Sequence, residues 1–415
     1  MQKGPLHDVS LEHLVALYQE GYGLPRAFYL DTALYEHELE TIWRRGWLFA
    51  GHTCELPRPG DLFTFTLDTD SVLVIRADER QIRAFHNICT HRGTLLCEEE
   101  RGNVRALVCP YHQWTFSRNG TLLRCAGMHE GIDKKALGLR PLHVKTCEGL
   151  IFVSFAETPP PFEGACEVMA PQARSQGLTR AKVAKVIEYE IAANWKLVWE
   201  NNRECYHCNV NHPQYIKSNF DIYEDERSSP LMRQRLEEAL ARSKAAWQNE
   251  GLMITHERGG LAAFPDVERN IWYSATRTVL REDYESESMD GRRVAPLMGD
   301  YRNAHVGVLR LRALPNFWNH SSCDHAVSTR LLPAGLHKTK ARLTWLVAGD
   351  AQEDVDYRLD DLTAFWRLTS EQDWELCERV QQGVRSSAYR PGPLSQTREY
   401  NLQAFLRWYV RQLSL

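Results

Sequence analysis

Two short stretches set sulfur and nitrogen donors side by side. Cys89-Thr90-His91 and Cys109-Pro110-Tyr111-His112 each offer one thiolate and one imidazole, and 17 residues separate His91 from Cys109. Loops of that kind close around a metal while the strands between them act as the frame. A structural zinc site is the plain alternative, but zinc usually pairs Cys with Cys and His with His at short spacing, whereas each loop here mixes the two. A second group of donors lies between Asn194 and Pro213. If Asn194 to Cys208 is helical, Glu204 and His207 are i, i+3 neighbours on one face, and His212 follows where Pro213 must loosen the helix. Two imidazoles and a carboxylate, with positions left open opposite, suit a ferrous ion that must hold O2 and a substrate together.

The elements around these donors follow from periodicity. Leu11, Leu14, Val15 and Tyr18 recur in the rhythm of a helix, with Ser10 placed to cap its start and Gly21 just past its end. A second amphipathic helix is expected after Asp31, built on Leu34, Tyr35, Leu39, Ile42 and Trp43. From Asp61 to Phe155 the pattern turns to short β-rich runs, among them Leu62 to Leu67 and Val72 to Ile75. Trp114 to Phe116 reads as a hairpin strand returning through Asn119-Gly120, a dipeptide suited to turns in which both residues need positive φ. The Thr158-Pro159-Pro160-Pro161 run breaks regular structure and marks a junction. Beyond it, strands are expected at Ile187 to Ile191, Val306 to Leu311, Ala326 to Leu332 and Ala341 to Val347, before a long helix from about Val355 to Gln382. Strands in blocks, without βαβ alternation, make this an α+β arrangement with an antiparallel sheet. The charged stretch from Asp221 to Gly260 reads as either a helical excursion or a lid.

Composition narrows the function classes. The 415 residues carry 50 Lys plus Arg against 54 Asp plus Glu, a formal charge of −4, which argues against a nucleic-acid scaffold or a polybasic membrane binder. With 43% apolar residues the chain can bury a sizeable core. No apolar signal stretch follows Met1 to Pro5, and no run of about 18 apolar residues occurs, so a cytoplasmic protein without membrane spans is expected. Eleven cysteines spread over this length, with no export signal, point to reduced thiols for most of them.

Cys89-Thr90-His91-Arg92-Gly93 and Cys109-Pro110-Tyr111-His112-Gln113-Trp114 resemble the C-x-H-R-G and C-x-x-H loops of the Rieske [2Fe–2S] family. The resemblance implies that Cys89 and Cys109 bind one iron as thiolates and that His91 and His112 bind the other, which raises the cluster's potential. Tyr111 stands where respiratory-chain Rieske proteins have an extra cysteine, so the oxygenase type fits better. Asn194 to Pro213 in turn resembles the catalytic domain of Rieske non-haem iron oxygenases. That likeness implies a mononuclear Fe(II) held by His207, His212 and an acid from a C-terminal helix, for which Asp373 matches best and Glu371 is the rival. In that family the carboxylate three residues before the first His is usually no ligand. It bridges, by hydrogen bonds, to a Rieske-ligand His of the neighbouring subunit, which gives Glu204 the bridging role and implies a homotrimer. The expected layout is N-terminal helices over 1–45 packed on the catalytic domain, an all-β Rieske domain over 46–157, and a catalytic domain over 165–415 with an antiparallel sheet covered by helices. No G-x-G-x-x-G follows a strand, so NAD(P)H electrons are expected through a separate flavin and iron–sulfur reductase.

Trp199 to Cys208, with Trp318-Asn319-His320 and Asp324-His325, looks like the branch of the family that oxidises quaternary ammonium compounds such as glycine betaine, proline betaine, carnitine and choline. Glu at the bridging position is similar to that branch, since ring-hydroxylating dioxygenases usually have Asp there. The implied reaction hydroxylates an N-methyl group and yields formaldehyde and the demethylated amine; the alternative is an aromatic-ring dioxygenase. A methylated ammonium has no N–H to donate and is recognised through aromatic faces. Tyr206, Phe264, Trp272, Tyr273, Phe317 and Trp318 are the candidates, each more readily read as ordinary core than as a ligand contact.

Overall fold

The computed structural model describes residues 11–129, 131–220, 229–252, 271–281 and 284–414. Ser10, Phe264 and parts of the Asp221 to Gly260 stretch lie outside the described residues. The chain opens with α1 (Leu11–Ala16), α2 (Ala27–Leu30) and α3 (Thr32–Glu38), the last running on as a π-turn over Leu39–Trp43. Asp31 caps α3 by accepting from the Leu34 N–H at 2.8 Å. Leu34, Tyr35, Leu39, Ile42 and Trp43 are all buried, as the periodicity predicts. Helix α1 stops well short of Gly21, because Leu17 and Tyr18 turn to carbonyls three residues back and unwind the last turn. The buried Glu38 ties this segment to the rest of the fold: it accepts from Trp195 Nε1 (2.8 Å), Lys196 Nζ (2.6 Å) and the Tyr409 hydroxyl. Burial lowers the Lys196 ammonium's pKa, and Glu38 opposes that.

The first β module holds β1 (Leu48–His52), β2 (Asp61–Leu67), β3 (Asp70–Arg76), β4 (Ile82–His86), β5 (Arg101–Asn103), β6 (Leu107–Val108), β7 (Thr115–Phe116), β8 (Leu122–Arg124), β9 (Pro141–Cys147) and β10 (Leu150–Ser154). Seven of them form one sheet in the order β1-β10-β9-β4-β3-β2-β5, and β6-β7-β8 form a small second sheet. Leu62, Leu73, Phe85, Leu107, Phe116 and Leu122 make a core of their own between the two sheets. The β7–β8 hairpin forms, but by a longer turn than the Asn-Gly pair suggests. Ser117 N–H reaches Thr121 O at 2.9 Å, and Gly120 takes φ +82° while Asn119 keeps negative φ. Glycine is required there, since a Cβ would sit 2.5 Å from the Phe85 ring.

After α4 (Glu163–Ala173) the chain builds β11 (Ala181–Ile191), then α5 (Trp195–Asn202), α6 (Cys208–Asn211), α7 (Pro213–Ser218) and α8 (Pro230–Asn249). The strands β12 (Tyr273–Thr278), β13 (Val308–Ala313), β14 (Phe317–Ser321), β15 (Ala326–Pro333) and β16 (Thr339–Ala348) follow, then α9 (Leu359–Val384) and α10 (Tyr400–Leu413). These strands form a six-stranded sheet in the order β11-β16-β15-β14-β13-β12, antiparallel throughout. Helix α5 packs on α9 and β15, and α9 packs on β11. The fold is therefore α+β, an all-β module joined to a helix-covered antiparallel sheet. Among the described residues no helix is long and apolar enough to cross a membrane.

Candidate functional site

The two donor loops of the first module are the same tight turn twice. Cys89 N–H donates to Thr94 O at 2.8 Å and Gly93 N–H returns to Cys89 O at 2.9 Å; Cys109 N–H donates to Trp114 O at 2.8 Å and Gln113 N–H returns to Cys109 O at 3.0 Å. The residue four past each Cys takes positive φ, Gly93 at +77° and Gln113 at +58°. Both thiols are buried, and burial, with the Cys109 thiol alongside, pushes the Cys89 thiol up. His91 stacks flat on Trp114 with ring centroids 4.6 Å apart and meets His112 edge-on at 4.8 Å. Arg92 Nη1 donates to the Tyr111 hydroxyl at 3.2 Å and links the loops. His91 Nδ1 is buried with no hydrogen-bond partner among the described residues. Two buried thiols, two adjacent imidazoles and an orphaned ring nitrogen are a donor set that suits a [2Fe–2S] cluster, which would hold the sulfurs deprotonated.

Helix α5 ends at Asn202, not at Cys208. The Glu204 carboxylate accepts from the backbone N–H groups of Tyr206 and His207, which competes with helical bonding and breaks the chain between α5 and α6. Glu204 and His207 thus meet across a turn, with Glu204 Oε1 2.5 Å from His207 Nδ1. His212 occupies the single residue between α6 and Pro213, where the pre-proline restriction applies. Asp373, on α9, reaches both imidazoles through one oxygen, at 3.2 Å from His207 Nε2 and 2.9 Å from His212 Nε2. The other nitrogen of each ring is engaged outward: His207 Nδ1 with Glu204 and His212 Nδ1 with Gln372 Oε1 at 2.8 Å. Gln214 Nε2 holds Gln372 in place at 2.9 Å. Imidazoles fixed at one nitrogen by an acceptor, with the other turned to a shared centre, fit a metal-binding face.

Charge points the same way. Burial by itself would lower the His207 imidazole, but Asp373 and Glu204 hold it up to about 10; burial would raise Asp373, but the two imidazoles hold it down to about 2. The triad calls for positive charge at its centre, which a divalent cation supplies. Cys208 Sγ is also close, 3.9 Å from His207 Nε2, but it is bonded to Cys205 Sγ and has no thiolate to give. The other nine cysteines are free. Glu371, the rival acid, accepts instead from the Tyr189 hydroxyl at 3.1 Å, in an exposed position.

A cavity opens over this face, with Tyr215, Arg310, Arg312, His320 and Trp366 among its walls. None of the described aromatic candidates lines it. Tyr206 is exposed under the Arg398 guanidinium, and Trp272 packs on Phe152, Phe162 and Tyr273. Phe317 packs on Phe49, and Trp318 on Trp199. The walls that sequence reading missed carried a signal: in Leu309-Arg310-Leu311-Arg312, charges alternate with core leucines inside a strand whose every residue is buried.

A paired Cys/His loop module joined to a helix-covered antiparallel sheet, with a two-histidine, one-carboxylate face beneath a cavity, is the architecture of an oxygenase that keeps electron storage and oxygen chemistry in separate iron centres. The chain belongs to the Rieske-type ring-hydroxylating oxygenase alpha subunits: residues 46–137 match the Rieske [2Fe-2S] domain and residues 178–415 the ring hydroxylating alpha subunit catalytic domain. Its cofactors are accordingly a Rieske [2Fe–2S] cluster and a mononuclear non-haem iron, with electrons supplied by a reductase. It is 40% identical over 395 residues to the glycine betaine monooxygenase oxygenase subunit of Pseudomonas aeruginosa (strain UCBPP-PA14), covering 94% of this chain and 89% of that protein. It is 33% identical over 227 residues to the large oxygenase component of the naphthalene 1,2-dioxygenase system of Pseudomonas putida, covering 52% of this chain and 50% of that one. The solved structure of a quaternary ammonium Rieske monooxygenase, described in connection with carnitine oxidation and inter-subunit electron transfer, superposes with a TM-score of 0.73 at 21% identity, over 96% of this chain and 97% of that one.

Proposed function

We propose that this chain is the oxygenase component of a monooxygenase that removes an N-methyl group from a betaine-type quaternary ammonium compound. The 40% identity across nearly the whole length of a glycine betaine monooxygenase oxygenase subunit carries the reading. Cys89, His91, Cys109 and His112 would hold the cluster, and His207, His212 and Asp373 the mononuclear iron. When bound, that iron supplies activation of O2 with electrons stored in the cluster. The rest is done by side chains. Glu204 and Gln372 keep a proton on the outer nitrogen of His207 and His212, so each ring presents Nε2 as a donor. Overall, the trimethylammonium, O2, two electrons and two protons give an N-hydroxymethyl ammonium and water; the new hydroxyl then passes its proton to nitrogen as the C–N bond breaks, releasing formaldehyde and the dimethylamine.

A homotrimer is part of the proposal. His112 and the exposed Leu95, Val108 and Tyr111 surround the cluster loops, and the exposed Tyr206 and Val210 flank Glu204. Two unlike apolar patches joined head to tail close a ring, in which Glu204 would meet a cluster histidine of the next subunit. A cytoplasmic location follows from dependence on an NAD(P)H-fed reductase with flavin and iron–sulfur centres. An aromatic-ring dioxygenase is the second reading, and two buried arginines make the cavity wall more polar than a hydrocarbon calls for. Incubation with a reductase, NAD(P)H, and glycine betaine, proline betaine or carnitine is expected to release formaldehyde equal to substrate consumed. A cis-diol from naphthalene with no formaldehyde from any betaine would overturn the reading.

A further inference from the structure

Two of the side chains that line the cavity are cysteines. Cys205 and Cys208 are both buried, and they are joined as a disulfide that spans Tyr206 and His207. Cys208 Sγ lies 3.9 Å from His207 Nε2, the nitrogen turned to the shared centre. The donor atoms of His207, Cys208 and His212 all fall within 4.8 Å of one another, close enough to serve one ion. Backbone bonds, and not the disulfide alone, put Cys208 there. Its N–H donates to Cys205 O at 3.2 Å, and its carbonyl accepts from the His212 N–H at 2.9 Å. Opening the sulfur–sulfur bond therefore frees a side chain whose backbone stays anchored beside both imidazoles.

We propose that Cys205 and Cys208 form a redox pair that decides how many protein donors the mononuclear iron has. As a disulfide, the pair keeps Cys208 Sγ off the iron and leaves His207, His212 and Asp373 with open positions opposite. As a dithiol, it releases Cys208 to bind as a fourth donor, in a position that O2 and substrate need. The assignment concerns the iron site alone and holds whatever amine the enzyme takes. A purely structural staple explains less. A ring closed over so short a stretch of chain removes little freedom from the unfolded state, and the Glu204 carboxylate already holds this turn by accepting from the Tyr206 and His207 N–H groups. The other nine cysteines are free, so the one disulfide falls at the iron site, at the C-x-x-C spacing of reversible dithiol pairs.

The oxidant is hydrogen peroxide, which an oxygenase itself produces when O2 takes two electrons and two protons without hydroxylating a substrate. One cysteine sulfur attacks a peroxide oxygen, the O–O bond breaks and water leaves. The second sulfur then displaces the oxygen of the sulfenic acid as another water while the S–S bond forms, so two electrons pass from the cysteines to the peroxide. A cellular dithiol reverses the step, returning two electrons and two protons to the pair as it closes to its own disulfide. On binding metal, Cys208 gives its proton to solvent.

The test uses the full chain with its cluster intact and Co(II) in the mononuclear site, read as a difference spectrum against the Zn(II)-loaded protein. Cobalt bound by a thiolate adds a charge-transfer band in the near ultraviolet that imidazole and carboxylate donors lack. The oxidised parent is expected to show no such band. Reduction with a trialkylphosphine, which brings no sulfur of its own, is expected to bring the band in, and hydrogen peroxide to remove it. Cys205→Ser, which leaves Cys208 without its partner, is expected to show the band with no reductant, and Cys208→Ser to show it under neither condition. Alkylation in denaturant followed by mass spectrometry reports whether the peptide carrying both cysteines is oxidised. The iron-loaded enzyme is expected to consume O2 more slowly once reduced. A disulfide that the phosphine cannot open, a dithiol form without the band, a band that survives in Cys208→Ser, or equal O2 uptake by the two forms overturns the inference.

Discussion

Glu204 holds His207 through one oxygen and the backbone of its own turn through the other. A glutamine there can still accept from His207 but carries no charge toward a second imidazole. Glu204→Gln is therefore expected to keep both iron centres and to lose about 10- to 100-fold in turnover, read from iron content and formaldehyde rate; unchanged turnover would remove the bridging role. At this scale the donors were legible, because Cys, His and Asp at fixed spacing carry chemistry that few other residues can supply. Sequence pattern favours Asp373 over Glu371, and the structure brings Asp373 to both imidazoles while Glu371 faces Tyr189. The cavity wall was not legible. Aromatic type alone could not separate Trp366, on the site-facing side of α9, from Trp318, which packs on Trp199.

Glu55 shows how elements are held together across the two sheets. It caps the turn after β1 by accepting from His52 N–H at 2.9 Å, and its other oxygen meets Arg342 of β16 at 3.1 Å and Arg101 of β5. Burial pushes its carboxyl up, but Arg342 and Arg101 outweigh that and the net shift is downward. A depressed carboxyl stabilises the fold above the ordinary Glu value of about 4.3 and loses that contribution as pH falls through the folded-state value. Glu55→Gln is expected to cost about 2 kcal/mol near pH 7, since it removes a buried carboxylate that accepts from two arginines. Thermal melts from pH 7 down to about pH 2 should then show a smaller acid-induced drop in the variant than in the parent; parallel drops would contradict the assignment. The strands and α3 were legible from alternation and a capping Asp. The end of α5 was not, because a side chain, Glu204, competes for the backbone donors that a helix would use. The Asn119-Gly120 turn misled for a related reason: Ser117 and Thr121 close a longer loop, so only glycine needs positive φ.

The whole molecule places a shallow, exposed cluster tip and a deeper iron face in one chain, each flanked by exposed apolar residues. The proposed head-to-tail trimer would join them, and mixing tests it. Rings assembled from His112→Ala and Asp373→Ala chains are expected to regain activity that neither variant has alone, and no recovery in mixed trimers would count against transfer between subunits. The broad plan was legible because two separate donor patterns flank a Pro-rich break; the assembly itself rested on family likeness. The central claim is that one iron centre stores electrons that the other uses to demethylate a betaine. Single turnover tests it: enzyme reduced without oxygen and freed of reductant is mixed with O2 and glycine betaine, and the cluster's low-average-g paramagnetic signal is followed alongside formaldehyde. The account predicts that signal loss and formaldehyde rise together, and that Asp373→Ala keeps the signal but makes no formaldehyde. Formaldehyde formed while the cluster stays reduced, or a reduced protein without that signal, would contradict it.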